Sequence, residues 1–164
     1  MKTYLWSDVL ETGFPSIDEQ HQRLLVILDR VAERAASSVP MTAAEIADVV
    51  GQLADYARGH FDTEVRLMLD ANCDLRHVHK HVREHEDFIR HISLVQEALD
   101  DARNDEGAEL ANYLARWFTR HIVGSDLSMS RQLARIKAGI APGDAYQAEL
   151  SEQDARIAHL AQAH

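Results

Sequence analysis

The sequence predicts an all-α protein: an up-down-up-down four-helix bundle with an N-terminal arm and a short C-terminal helical extension. Four long segments repeat apolar residues at steps of three and four, the spacing of helices that bury one face. Breakers are few, with seven glycines and three prolines among 164 residues, and the alternation typical of strands is absent. Long helices joined by short loops favour antiparallel neighbours.

The first helix is predicted over 16–38, after an irregular arm that carries Trp6. Ser16 is the expected N-cap, with Glu19 completing a capping box. The apolar stripe of this helix comprises Ile17, Leu24, Leu28 and Val31.

The second helix is predicted over 42–71, again with a capping box, between Thr42 and Glu45. The third is predicted over 75–101 and is followed by a loop over 104–107. The inner stripes are Ile46, Val49, Leu53, His60, Glu64 and Leu67 on the second helix, and Val78, His81, His85, Phe88, Ile92, Val95 and Leu99 on the third.

The fourth helix is predicted over 108–137, with Leu110, Leu114, Trp117 and His121 on one face. A mostly polar helix over 145–163 follows, with Leu150, Ile157 and Leu160 as its expected anchors. We therefore expect a bundle domain over 1–137 and an extension over 138–164.

Composition excludes several classes of protein. The net charge is −10, which makes a nucleic-acid partner improbable, and no apolar run is long enough to span a membrane. The N-terminus lacks the apolar region of a secretory signal. The single cysteine, Cys73, allows neither a disulfide framework nor a cysteine-rich zinc site. A reducing, cytoplasmic setting fits these features best.

The ten histidines are the unusual feature of the composition, and five of them lie on the inner stripes. A side chain on such a stripe points at the bundle axis, so four helices direct five imidazoles and Glu64 at one interior. Five buried imidazoles without a metal would leave many polar nitrogens unsatisfied. The five are His21, His60, His81, His85 and His121.

Histidine and carboxylate ligands without thiolate suit iron, manganese or zinc. The set exceeds the four ligands of a single tetrahedral zinc, which favours two ions bridged by carboxylates. Neither the Glu-x-x-His pairs of ferritin-like proteins nor the His-Glu-x-x-His motif of zinc proteases occurs in the chain.

Four motifs together resemble the bacterial hemerythrins, over about residues 1–135. They are Ile17-Asp18-Glu19-Gln20-His21, His60-Phe61-Asp62-Thr63-Glu64, His81-Val82-Arg83-Glu84-His85-Glu86-Asp87-Phe88 and His121-Ile122-Val123-Gly124-Ser125-Asp126. The resemblance implies a non-haem di-iron centre with an oxo or hydroxo bridge. One iron would be held by His81, His85 and His121, the other by His21 and His60, with Glu64 and Asp126 bridging them.

In this scheme the second iron is five-coordinate, and dioxygen would bind at its open position. Five neutral imidazoles, two carboxylates, two ferrous ions and one hydroxide sum to +1, a charge that a bundle interior tolerates. Trp117, Phe61 and Phe88 lie near the ligands in sequence and are expected to form an apolar wall that slows water entry and autoxidation.

One spacing departs from an ideal helix. His121 and Asp126 are five residues apart, about 140° around an α-helix, so both can reach one metal pair only if the helix loosens there. A π-bulge brings residues five apart onto one face, and Gly124 is expected to ease it.

The other five histidines are expected at the surface or in the tail, outside the ligand set. They are His77, His79, His91, His159 and His164.

The sequence favours a binding protein that takes up dioxygen reversibly for storage, delivery or sequestration. An alternative is an oxygen or redox sensor, in which residues 138–164 signal to an output module or form a homodimer. Enzymatic peroxide or nitric-oxide chemistry is a third class, for which the sequence offers no dedicated acid or base.

Overall fold

The computed structural model describes residues 6–39, 41–97 and 106–162, and all regular structure within them is helical. A 3-10 turn, Asp8–Leu10, precedes six α-helices, and a π-helical turn joins the fourth to the fifth. The helices are α1 (Pro15–Ala35), α2 (Ala43–Asp70), α3 (Leu75–Glu97), α4 (Glu106–His121), α5 (Leu127–Lys137) and α6 (Pro142–Gln162). The predicted all-α bundle is confirmed.

The four bundle positions are taken by α1, α2, α3 and the continuous run from α4 to α5. Helix α1 packs against α2 and α4, and α2 also packs against α3. None of the described helices combines the length and the apolar character that crossing a membrane requires.

The bundle interior contains two apolar clusters separated along its axis. The larger cluster includes Leu28, Leu53, Ile92 and Leu114, one from each helix. The smaller cluster comprises Met68, Cys73, Val78, Met129 and Leu133. On α3, His81 and His85 lie in sequence between Val78 of the smaller cluster and Phe88 of the larger one. On α2, Glu64 lies between Phe61 and Met68, so these polar side chains form a layer between the two apolar clusters.

The start of α1 differs from the prediction. Pro15 occupies the first turn, Phe14 is the N-cap, and no side chain caps the helix, so the capping box expected at Ser16 is absent. Proline is favoured at this position because its missing N–H would have no helical partner. The Asp18 carboxylate instead accepts hydrogen bonds from the Thr12 backbone N–H and hydroxyl, both at 2.8 Å, which fastens the arm to α1.

The capping box of α2 is confirmed. The Thr42 hydroxyl accepts from the Glu45 backbone N–H at 3.2 Å, and the Glu45 carboxylate accepts from the Thr42 backbone N–H at 2.8 Å. The stripe of α2 shifts slightly, because Val50 and Met68 are buried where Val49 and Leu67 are half-buried.

Other predicted boundaries move by a few residues. Helix α1 ends at Ala35, short of the predicted 38, and α4 begins at Glu106, inside the predicted loop. The predicted end of the third helix, including Leu99, lies outside the described residues, as does His164.

The predicted π-bulge is confirmed as the five-residue turn Ile122–Asp126. The role expected of Gly124 is not supported: a Cβ there would meet nothing within 4 Å, and its φ lies outside the left-handed region. Glycine is therefore not needed for the π geometry.

Helix α6 begins at Pro142, three residues earlier than predicted, and packs against α5. Gly139, with φ of 92°, ends α5 in a Schellman turn that sends the chain back along it. Of the predicted anchors, Leu150 is half-buried, and the side chains of Ile157 and Leu160 lie outside the described part of the structure. The buried residues of α6 are instead Ala145, Tyr146 and Glu149, which the prediction did not include.

The docking of α6 depends on Glu149, whose side chain is 1% exposed. Its carboxylate accepts hydrogen bonds from Arg131 and Arg135 on α5 and from Arg156 on α6, at 2.7–3.0 Å. Burial alone would raise the pKa of Glu149, but these hydrogen bonds outweigh it and lower the pKa from 4.5 to about 2.

We predict that Glu149→Gln lowers the free energy of unfolding at pH 7 by about 1.5–3 kcal/mol, because charge-assisted hydrogen bonds are lost. The lowered pKa means that the carboxylate stabilises the fold above pH 4.5, and that this stabilisation disappears as the pH falls toward 2. The free energies of unfolding of the wild type and of Glu149→Gln, measured by urea denaturation, should therefore converge over that pH range.

The matched control is Glu152→Gln. Glu152 also pairs with Arg135, at 2.5 Å, but its side chain is half exposed, so its loss should cost less than about 1 kcal/mol. Equal destabilisation by both variants at pH 7 would contradict the role assigned to Glu149.

Candidate metal centre

The structure brings the seven predicted site residues together inside the bundle. Helix α1 contributes one of them, α2 two, α3 two, α4 one at its end, and the π turn one. All are at most 5% exposed: His21, His60, Glu64, His81, His85, His121 and Asp126.

The five imidazoles direct Nε2 at the two carboxylates. The Oε2 atom of Glu64 lies 3.2 Å from Nε2 of His81, 3.2 Å from that of His85 and 3.6 Å from that of His60. The Asp126 carboxylate lies 3.2 Å from Nε2 of His21 through Oδ2 and 3.1 Å from Nε2 of His121 through Oδ1.

These side chains form two groups, each with ligand atoms within 4.8 Å of one another. The groups are Glu64, His81, His85 and His121, and His21, His60, Glu64 and Asp126. Glu64 belongs to both, and Asp126 also approaches His81 of the first group, at 3.7 Å. The division of the histidines is the one that the resemblance implies.

The chemistry of these atoms fits metal cations. Several buried nitrogens and oxygens of the cluster have no hydrogen-bond partner among the described residues. Five of these atoms face the centre of the cluster: His21 Nε2, His60 Nε2, Glu64 Oε1 and both carboxylate oxygens of Asp126. Each unsatisfied buried polar atom costs about 1–3 kcal/mol. Two cations between the groups would satisfy these lone pairs at once.

Burial favours neutral imidazoles at three of the histidines. It lowers the pKa of His60 to about 3 and that of His81 to about 4, and it lowers the pKa of His85 further. Neutral imidazole is the form that binds metal.

Two other groups of the cluster, His121 and Glu64, have raised pKa values. Burial would lower the pKa of His121, but the charge of Asp126 and the close approach of the Asp126 and Glu84 carboxylates raise it to about 10. Burial and the neighbouring Asp126 raise the pKa of Glu64. Metal binding would therefore displace protons from this interior.

Sequence reasoning missed Gln20, which contacts the outer nitrogen of His60. The Thr63 hydroxyl donates its proton to the Gly59 carbonyl at 2.8 Å and accepts from Gln20 Nε2 at 3.4 Å. Gln20 Oε1 consequently faces His60 Nδ1, at 2.9 Å, and accepts its proton. His60 Nε2 then has its lone pair directed at the cluster.

Sequence reasoning also missed Glu84. Its Oε2 lies 3.3 Å from Nδ1 of His121 and accepts a hydrogen bond from the Ser125 hydroxyl. Burial would raise the pKa of Glu84, but these two contacts lower it to about 2. Gln20 and Glu84 lie off the apolar stripes, so hydrophobic periodicity carried no signal for either.

The expectation that His77 lies at the surface is wrong: its side chain is buried. His77 Nδ1 makes a 2.5 Å hydrogen bond with Gln132 Oε1, and its ring stacks on Tyr146 of α6. Helix α6 covers this side of α3, which the sequence pattern of α3 alone could not reveal. His77 belongs to neither metal-ligand group, and His79, His91 and His159 are exposed.

Aromatic rings line the first group of ligands. Phe61 stacks on His85 at 3.6 Å between centroids, and Trp117 stacks on His121 at 4.5 Å. Phe88 packs against both aromatic rings, at 5.9 and 4.0 Å. The three predicted aromatic residues therefore do lie against the site.

Fold and site together define a non-haem protein that places two cation-binding groups within a four-helix bundle. Residues 12–133 match the family described as "Hemerythrin HHE cation binding domain". The chain is 35% identical to a bacteriohemerythrin of Pseudomonas aeruginosa over 126 residues, 77% of this chain and 78% of the relative.

A bacteriohemerythrin of Stenotrophomonas maltophilia is 32% identical over 81% of this chain and 83% of its own. A myohemerythrin of Riftia pachyptila is 28% identical over 79% of this chain and 93% of its own. The chain belongs to the hemerythrin family. Membership implies a non-haem di-iron cofactor that binds dioxygen, and the buried side chains fit that cofactor.

We predict that divalent metal stabilises the folded chain, because binding satisfies buried groups that lack partners. At free metal concentrations 100-fold above the dissociation constant the gain is about 2.7 kcal/mol. The midpoint temperature of thermal unfolding should rise with anaerobic Fe²⁺ or with Zn²⁺ and return to its starting value when a chelator removes the metal. Mg²⁺ is the control, since it prefers oxygen ligands, and an equal shift with Mg²⁺ would contradict an imidazole-rich site.

Proposed function

We propose that this chain binds dioxygen reversibly at a di-iron centre, for storage, delivery or sequestration. The observation that carries the proposal is the pair of buried ligand groups that share Glu64. When bound, a diferrous pair supplies the two electrons needed to capture dioxygen.

The proposed ligands of one iron are His81, His85 and His121, and those of the other are His21 and His60. Glu64 and Asp126 would be shared between the two irons. The lower number of imidazoles on the second side leaves room for a small ligand there. The Phe118 ring lies roughly perpendicular to the His21 ring, with centroids 5.6 Å apart, and supplies an apolar surface on that side.

The aromatic rings of Phe61, Phe88 and Trp117 support a binding role over turnover. They stack on or pack beside the ligands of the first group, where they exclude water and slow loss of the diferrous state.

The second candidate is an oxygen or redox sensor, which one chain of contacts favours. The edge of the His77 ring packs against His81 at 6.3 Å, and its face stacks on Tyr146 at 5.2 Å. Gln132, the hydrogen-bond partner of His77, donates to the Pro142 carbonyl at 3.2 Å. A change at His81 would thus reach α6, and residues 138–164 would pass it to an output module or a homodimer partner.

We place this function in the cytoplasm. The one cysteine, Cys73, is buried, and burial raises the pKa of its thiol to about 11, which keeps it protonated and unreactive. A reducing compartment would also return an oxidised centre to the diferrous form.

The deciding experiment measures iron and the absorption spectrum before and after air. We expect about two irons per chain after anaerobic loading with Fe²⁺, because each of the two ligand groups could hold one ion. Air should produce charge-transfer bands in the near ultraviolet and visible, and vacuum should reverse them.

Other outcomes separate the alternatives. Oxidation within seconds to minutes, with altered hydrogen exchange in α6, would favour the sensor, and sustained peroxide turnover would favour an enzyme. Iron binding below about one per chain after loading would contradict the proposal as a whole.

Glu64→Ala should reduce bound iron more than any single histidine variant, because Glu64 belongs to both groups. His60→Ala removes a ligand from one group only and should retain about one iron per chain. The measurement is iron per chain by mass spectrometry, with circular dichroism to verify folding. His79→Ala, at an exposed position, is the control; equal losses in all three variants would contradict the ligand assignment.

A further inference from the structure

The outer nitrogens of two inward-facing imidazoles have partners of different charge. His60 Nδ1 donates to the neutral amide of Gln20, and His121 Nδ1 faces the carboxylate of Glu84. We propose that Glu84 is a positioning residue that holds His121 in its metal-binding tautomer and makes it a stronger electron donor than His60. This inference rests on the proposed di-iron function.

The tautomer follows from hydrogen-bond chemistry. An ionised carboxylate can only accept, so the nitrogen that faces Glu84 at 3.3 Å carries the proton. In the neutral ring Nε2 then has a free lone pair. That atom lies 3.1 Å from Asp126 Oδ1 and 2.9 Å from His85 Nε2, at the centre of the cluster.

The Glu84 carboxylate is itself held by groups outside the cluster. The Ser125 hydroxyl donates to Oε2, and Lys80 Nζ lies 3.8 Å from Oε1. Ser125 belongs to the π turn and directly precedes Asp126. Glu84 therefore holds α3 against the turn that carries Asp126 and directly follows His121, at the wall of a cavity of about 510 Å³.

The charge of the partner has an electronic consequence. A charge-assisted hydrogen bond is about twice as strong as a neutral one, and an anionic acceptor raises the basicity of a metal-bound imidazole. A more basic ligand stabilises ferric over ferrous iron. Glu84 should thus lower the reduction potential on the His121 side, whereas Gln20 has no such effect on the His60 side.

The test uses the full-length iron-loaded protein and potentiometry of the diferric–diferrous couple. Glu84→Gln keeps the shape and an acceptor but removes the charge, so we expect a higher potential and slower autoxidation. Gln20→Glu is the mirror variant and should lower the potential. Glu84→Ala removes the acceptor altogether and should weaken Zn²⁺ binding by about tenfold or more.

Asp87→Asn is the matched control. Asp87 lines the same cavity on the same helix but pairs with Arg90 and not with a candidate ligand. The reduction potential of the Asp87→Asn variant should equal that of the wild type. If Glu84→Gln and Asp87→Asn shift the potential equally, or if neither shifts it while wild type binds iron and dioxygen, the inference is overturned. If the wild type itself takes up no iron, the proposed function fails instead.

Discussion

Seven polar side chains converge in the interior of the bundle, and the rest of the structure depends on how their charge is neutralised. The neighbouring Asp126 raises the pKa of His121, burial and Asp126 raise the pKa of Glu64, and several buried nitrogens and oxygens have no hydrogen-bond partner among the described residues. Burying polar groups without hydrogen-bond partners lowers the stability of the folded state. Two cations would satisfy the atoms that face the centre, which favours a metal-binding role for these residues over a purely structural one.

The apolar layers make this polar layer possible. The larger cluster on one side and the Met68–Leu133 cluster on the other supply the burial that holds the helices together. The polar side chains between the clusters therefore do not have to supply the packing that stabilises the bundle. Because the histidines of α2 and α3 lie on the same stripes as the core residues, the helices that build the core also aim the imidazoles.

Around the ligands lies a set of partners that differ from one side to the other. Gln20 contacts His60 and Phe61 stacks on His85, whereas His121 has both Glu84 and Trp117 as neighbours. His77 adds a contact between the centre and α6, and Glu149 fastens that helix to α5. The imidazoles therefore differ from one another in their neighbours, although they are the same type of ligand.

The sequence by itself determined the helical bundle and the inward direction of His21, His60, Glu64, His81, His85 and His121, because these follow from local periodicity. The place of Asp126, and the π turn that it requires, followed from the resemblance to the hemerythrins. The sequence-based prediction misplaced the start of α1, where Pro15 overrode the Ser16 cap, and it did not include Glu149, which is buried among arginines on α6. Only the tertiary structure decided that His77 is buried and that Glu84 faces His121. Both facts depend on contacts between residues more than 35 positions apart along the chain, and periodicity within one helix cannot report such contacts.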